Sequence, residues 1–160
     1  MEKQLIKELF ILTSKLKRML DKKYLENGIH TGQARVLMYL HRNKGEVVYQ
    51  KDIEAFFQIR GGTVTGMIDT LQNYEYIQRI DSEIDKRKKR IILTPKGEAA
   101  ALNAIKTTQD MENSIYELLT GQELLVFQGV VEKMNGFIDE EEANWESYLN
   151  ILILLKKSCF

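Results

Sequence analysis

Apolar residues recur every three or four positions in several stretches of the chain, a spacing typical of helices that bury one face. Residues 3 to 24 carry this pattern and predict one long amphipathic helix. A break at Asn27 and Gly28 follows, and a second helix is predicted near Thr31, whose hydroxyl we expect to cap it. The positions that this second helix should bury are Val36, Leu37 and Leu40.

Two shorter apolar patterns lie close together between residues 50 and 73. The first predicts a short helix with one apolar face formed by Ile53, Phe56 and Phe57. A tight turn at residues 58 to 60 leads into a second helix whose buried positions should be Val64, Met67, Ile68 and Leu71. Two short helices joined by a tight turn are typical of a helix-turn-helix. The opposite face of the second helix should be exposed, and it is small and polar, with Gly62, Gly66, Asp69 and Asn73.

Alternation replaces the helical period after residue 75. Residues 76 to 81 and 90 to 94 are rich in β-formers and predict a β-hairpin, with the charged segment between them as an extended tip. This tip contains an unbroken basic run, Lys86 to Arg90. Charge alone leaves two interpretations open, an ordinary solvated loop and a binding surface.

The C-terminal half returns to helical patterns. Pro95 is well placed to start a long helix, and Thr120 with Glu123 forms a capping box for another. The apolar stripe of that last helix is Leu124, Phe127, Val131, Met134 and Ile138. The tail from Asn144 is predicted to form a further short helix.

Three motifs in this order resemble the MarR family of bacterial winged-helix transcriptional regulators. "QARVL" at 33 to 37 is similar to the start of the family's second helix, and "TVTGMIDTL" at 63 to 71 is similar to its recognition helix. "DKRKKRIILTPKG" at 85 to 97 carries the family's wing pattern. Its matching positions are Asp85, Arg87, Leu93, Thr94, Lys96 and Gly97.

The resemblance implies a mainly α fold with a small β-hairpin wing. It places a winged helix-turn-helix at residues 31–96, flanked by dimerisation helices at 1–26 and 97–160, within one MarR-like domain over 1–160. Two positions depart from the family pattern. Glu75 replaces the usual glycine after the recognition helix, so we expect Asn73 to make the left-handed turn, and Arg60 stands where serine commonly caps that helix.

Recognition helices enter the major groove by their N-terminal ends, where free backbone N–H groups favour phosphate. The expected contacts there are Arg60, Gly61, Gly62, Thr63, Thr65 and Gly66. Glycine inside a helix costs roughly 1 kcal/mol against alanine, so the two inner glycines indicate either close approach of DNA or simple tolerance. In the wing, the resemblance assigns minor-groove insertion to Arg87, held by Asp85, and phosphate contacts to Lys86, Lys88 and Lys89.

Charge and composition narrow the function further. Net charge is zero, but residues 1–43 hold nine basic against four acidic residues and residues 97–160 hold four against eleven, so the chain is polarised. His30 and His41 have no metal-ligand or catalytic spacing, and no phosphate-binding glycine loop occurs, so we expect neither an enzyme nor a metal or cofactor. The single cysteine, Cys159, and the lack of a long apolar run favour a cytoplasmic protein with no membrane partner.

The sequence therefore predicts a sequence-specific double-stranded DNA-binding regulator, a repressor, that binds a pseudo-palindromic operator as a homodimer. Relatives in the family also respond to small aromatic or amphipathic effectors, and we expect one here without assigning its residues. The alternative is a winged-helix interaction module that does not bind DNA. The residues expected at the dimer interface are Leu5, Leu9, Leu12, Phe127, Val131, Met134, Ile138 and Leu152.

Overall fold

The computed structural model describes residues 4–83 and 87–157, with side chains as far as residue 146. The chain divides into two compact units, Met1–Met111 and Glu112–Phe160. The helices are α1 Leu5–Leu25, α2 Thr31–Arg42, α3 Gln50–Phe57, α4 Gly61–Asn73, α5 Pro95–Leu118 and α6 Gly121–Lys157, and the strands are β1 Ile77–Asp81 and β2 Lys89–Leu93. This mainly α fold with one antiparallel hairpin confirms the predicted winged helix.

The core of the first unit forms where α2, α4 and the hairpin meet. All three residues predicted to be buried on α2 are buried, and so are three of the four on α4. The fourth, Met67, is half-buried and packs toward Gly32, where an added Cβ would lie 2.9 Å from the Met67 methyl carbon. The helical periodicity of these two segments therefore located the core correctly.

The start of α2 differs from the prediction. The capping residue is His30, whose extended backbone precedes the helix and whose N–H donates to the Gln33 side chain. Thr31 is already helical, so its predicted capping role is wrong. Its backbone N–H and its hydroxyl both donate to Asp21 Oδ1, at 2.9 and 2.6 Å, and these bonds hold the pKa of Asp21 below its ordinary value. Thr31 thus ties α2 to α1.

The turn between α3 and α4 places Gln58 in the left-handed region, with φ at 51°. On the predicted apolar face of α3, Ile53 is buried, whereas Phe56 is 58% exposed. Its ring instead lies 4.6 Å from that of Tyr39 on the protein surface, and the Phe57 ring completes the aromatic cluster. Burial raises the pKa of the Tyr39 phenol.

The hairpin pairs Ile77 with Leu93 and Asp81 with Lys89. The limits of both strands differ slightly from the prediction. β1 begins one residue later, and β2 begins one residue earlier and ends before Thr94. Lys89 is therefore part of a paired strand. On the outer edge of β2, the Ile91 N–H donates to the carbonyl of Val48, which attaches the loop before α3 to the hairpin.

The end of α4 is a Schellman motif built on a non-glycine residue. Tyr76 N–H donates to the Leu71 carbonyl and Glu75 N–H to the Gln72 carbonyl, with Glu75 at φ 60°. Glu75 itself therefore makes the left-handed turn, and the expectation that Asn73 would do so is wrong. Asn73 is the last residue of the helix.

The wing motif after β2 holds this helix end in place. The Thr94 hydroxyl donates to the carbonyl of Glu75 and the Lys96 ammonium to that of Tyr74, each at 2.7 Å. At Gly97 a Cβ would lie 1.8 Å from the Tyr76 carbonyl oxygen, so only glycine fits. The Thr-x-Lys-Gly part of the motif is thus structural: it fixes where the recognition helix ends and the hairpin begins.

The last helix begins with the predicted capping box, in which Thr120 N–H donates to Glu123 Oε2 and Glu123 N–H donates to the Thr120 hydroxyl. The backbone bond from Thr120 lowers the pKa of Glu123. The prediction of a separate short helix in the tail is wrong, because α6 continues without a break to Lys157. Among the described residues, no helix is long and apolar enough to cross a membrane.

Candidate nucleic-acid interface

The N-terminal end of α4 is open to solvent. Arg60 precedes the helix with an extended backbone, φ −64° and ψ 140°, and its side chain is exposed. The predicted contact residues Gly62, Thr63, Thr65 and Gly66 are exposed as well, and Gly61 is half-buried. A Cβ at Gly62 or Gly66 would meet no described atom within 4 Å, so no contact within residues 4–83 and 87–146 requires either residue to be glycine. The structure therefore brings these residues together at an accessible helix end with little side-chain bulk.

Two side chains from α3 join this surface, and sequence periodicity did not predict them. Gln50 Nε2 lies 2.8 Å from Thr65 Oγ1 and 2.8 Å from Glu54 Oε1. The Thr65 hydroxyl in turn donates to the Gly61 carbonyl at 2.9 Å. Only the position of Gln50 at the start of α3, one turn before Glu54, could have indicated a pair between them.

The described part of the wing tip is basic and exposed, as predicted. Arg87, Lys88 and Lys89 are all exposed. Lys88 Nζ lies 5.4 Å from the centre of the Tyr49 ring, and Lys89 Nζ pairs with Asp81, its cross-strand neighbour, at 2.5 Å. The predicted residues Asp85 and Lys86 lie outside the described residues.

The last member of the basic run behaves differently from its neighbours. Arg90 lies within β2, opposite Ile80, and is half-buried. Its Nε is the one buried side-chain nitrogen or oxygen that has no hydrogen-bond partner within the described part of the chain. Arg90 is thus less accessible than Arg87, Lys88 and Lys89, which are exposed.

An ion pair joins the recognition helix to the wing. Arg79 Nη2 on β1 donates to Asp69 Oδ1 on α4 at 2.6 Å. The Asp69 side chain is 50% exposed and that of Arg79 28%. The only acid on α4 is therefore paired with a basic neighbour, which reduces the negative charge on the exposed face of this helix. The sequence placed Asp69 on the exposed face but did not predict its partner.

A second polar cluster connects α2 to α5 behind the wing. Glu98 Oε1 lies 3.0 Å from Lys44 Nζ and 3.0 Å from His41 Nδ1. The Lys44 hydrogen bond, aided by the charge of His41, lowers the pKa of the Glu98 carboxyl, while partial burial acts against it. In the ranges 4–83 and 87–157, no group of three or more His, Cys, Asp or Glu residues could hold a metal ion.

Both terminal helical parts expose apolar side chains. On α1, Leu5 is 63% and Leu12 47% exposed, and Leu9 is half-buried. On α6, Phe127, Val131 and Ile138 are exposed and Met134 is half-buried. The side chain of Leu152 lies outside the described residues. Each helix thus exposes several large apolar side chains.

Comparison with known proteins agrees with this geometry. The sequence model of the MarR family matches residues 27–88. YsmB, an uncharacterized HTH-type transcriptional regulator of Bacillus subtilis, is 31% identical over 72 residues, 45% of this chain and 49% of that protein. The HTH-type transcriptional repressor YetL of the same organism is 26% identical over 96 residues, 60% of this chain and 58% of that protein. The matches therefore span about half the length of these curated relatives.

Solved structures extend the likeness to the whole fold. The crystal structure of the MepR–DNA complex of Staphylococcus aureus superimposes with a TM-score of 0.77 and 22% identity, covering 86% of this chain and 98% of that one. At this identity the likeness establishes the fold. Its winged helix, within residues 27–88, is thus similar to that of the MarR family.

Proposed function

We propose that this protein is a sequence-specific, double-stranded DNA-binding transcriptional regulator, a repressor that acts as a homodimer in the cytoplasm and is not an enzyme. The observation that carries the proposal is the combination, in one compact unit, of an open recognition-helix end and an exposed basic wing tip. The printed names of the relatives support it, since YetL is called a repressor and MepR was crystallised with DNA.

In this proposal the N-terminal end of α4 enters the major groove. Backbone N–H groups and the helix dipole attract phosphate there, and the missing Cβ atoms of Gly62 and Gly66 permit close approach. Arg60 is the only long donor among the six predicted contacts, so direct base contacts are few. DNA shape then carries much of the specificity.

The wing tip contacts the flanking minor groove and its phosphates. A guanidinium enters a narrow, electronegative minor groove more readily than a strongly hydrated ammonium, which assigns this role to Arg87. Lys86, Lys88 and Lys89 neutralise phosphates, and Asp85 holds the arginine. The exposure of Arg87 and Lys88 supports this assignment. Lys89 is exposed as well and pairs with Asp81 across the hairpin.

Residues 1–26 and 97–160 would form the dimerisation part of a single MarR-like domain. The exposed apolar residues of α1 and α6 support a second copy of this chain as their cover. A two-fold dimer requires a pseudo-palindromic operator with half-sites about 10 bp apart or one turn more. Light scattering at micromolar concentration tests the assembly, and a monomer there would contradict it.

Selection of bound duplexes from a randomised pool tests the DNA function. Recovery of a pseudo-palindrome by the purified protein is the expected result. If no sequence is enriched over the starting pool at moderate salt, the alternative of an interaction module without DNA binding is favoured. An aromatic or amphipathic effector, proposed from the resemblance alone, should lower the affinity for the recovered operator. A broad phenolic and fatty-acyl panel without effect would argue against ligand control.

A further inference from the structure

The hydrogen-bond network between α3 and α4 has only one possible set of proton directions. It runs from Glu54 through Gln50 and Thr65 to the carbonyl of Gly61. A carboxylate and a backbone carbonyl can only accept, so both ends of the chain are acceptors. The NH₂ group of Gln50 must therefore donate to Glu54 and Thr65, and the Thr65 hydroxyl must donate to the Gly61 carbonyl.

These fixed proton directions determine which hydrogen-bond donors and acceptors the network leaves available to a partner. The two amide hydrogens of Gln50 are committed to Glu54 and Thr65, which leaves its carbonyl oxygen as an acceptor. The Thr65 hydroxyl has one remaining lone pair, and Glu54 has a second carboxylate oxygen. The groups that the network leaves available are thus acceptors alone, at Thr65 on the exposed side of α4 and at the half-buried Gln50 and Glu54 of α3.

We propose that Gln50, Glu54 and Thr65 together select a base that carries an exocyclic amino group in the major groove, that is, adenine or cytosine rather than guanine or thymine. The reason is that adenine N6 and cytosine N4 are the only donors on the major-groove edges of the base pairs. Guanine O6 and thymine O4 would face acceptors, which is repulsive. The inference rests on the proposed function and assigns a part of its sequence preference to two residues of α3.

The test compares base preferences in the duplexes that each full-length variant selects. The wild-type protein should show one position in each half-site where adenine or cytosine is favoured on the same strand. Glu54→Gln replaces an obligate acceptor by a group that can also donate, so the network no longer presents acceptors alone. We expect the preference at that position to fall about tenfold, with other positions retained. Glu46→Gln removes the same charge at an exposed position outside the network, and it should leave every preference unchanged.

Thr65 provides an independent pair of variants. Thr65→Val removes the hydroxyl at nearly constant volume and should reduce the same preference, and Thr65→Ser should recover it. Thermal melting of each variant identifies any that fail to fold. A wild-type selection without such an adenine-or-cytosine position, or an unchanged preference in both Glu54→Gln and Thr65→Val, would overturn the inference while leaving the proposed function standing. Failure of the wild-type protein to enrich any sequence would overturn both.

Discussion

Gly66→Ala should stabilise the fold and weaken operator binding at the same time. Gly66 lies inside α4, is exposed, and would meet no atom within 4 Å after gaining a Cβ. Because there is no clash, the substitution gains the helix propensity of alanine, and the free energy of unfolding should rise by about 0.5–1 kcal/mol.

The expected loss of DNA affinity follows from the same open space beside Gly66. If the helix end approaches the groove closely, the added methyl group lies where DNA should be. Overpacking of a fitted interface costs about 1–3 kcal/mol, which corresponds to a loss of about 5- to 150-fold in affinity. Gly62→Ala should behave in the same way, since its surroundings are equally open.

Urea denaturation and operator titration on the same protein samples measure both quantities. Asn73→Ala is the matched control, because it raises helix propensity at the opposite, exposed end of the same helix. It should add a few tenths of a kcal/mol of stability without changing affinity. A Gly66→Ala protein that binds the operator as tightly as the wild type would refute close approach and leave the glycines as merely tolerated.

Three further experiments test the supporting structure. Gly97→Ala should destabilise the fold by about 3 kcal/mol or more, because its Cβ would lie 1.8 Å from a backbone carbonyl oxygen; urea denaturation with a loss below about 1 kcal/mol would contradict this. In a double-mutant cycle of Asp69→Ala and Arg79→Ala, the coupling in operator binding should be about 0.5 kcal/mol or more, and zero coupling would show that the ion pair does not position the wing. Glu98→Gln should cost stability at neutral pH, and the cost should vanish as pH falls through the lowered pKa of Glu98; a deficit that persists in acid would exclude Lys44 pairing as its cause.

The sequence predicted the structure best where a single local pattern determines the conformation. Helical periodicity located the buried residues of α2 and α4, and the capping box at Thr120 and Glu123 marked the start of α6. Phe56 shows the limit of that signal. Its position on the apolar face of α3 is correct, but a neighbouring ring, Tyr39, holds it at the surface.

Other features depend on contacts between residues far apart in the chain. Thr31 looks like a helix cap, but Asp21 on α1 takes both of its hydrogens and the helix starts one residue earlier. At Glu75, the left-handed backbone persists without glycine because Thr94 binds its carbonyl from the end of the hairpin. The partner of Asp69 could not be predicted for the same reason, since it depends on the hairpin register that brings β1 beside α4.

The most direct test of the account compares Arg87→Ala and Lys88→Ala in titrations of the selected operator and a scrambled duplex at several salt concentrations. A lysine that only neutralises phosphate contributes equally on any sequence, so Lys88→Ala should weaken both complexes alike and reduce the salt slope by about 1. Arg87→Ala should cost the operator about 1–3 kcal/mol more than the scrambled duplex and reduce any preference for A·T-rich flanks. Equal losses on both duplexes for Arg87→Ala would contradict sequence recognition by the wing.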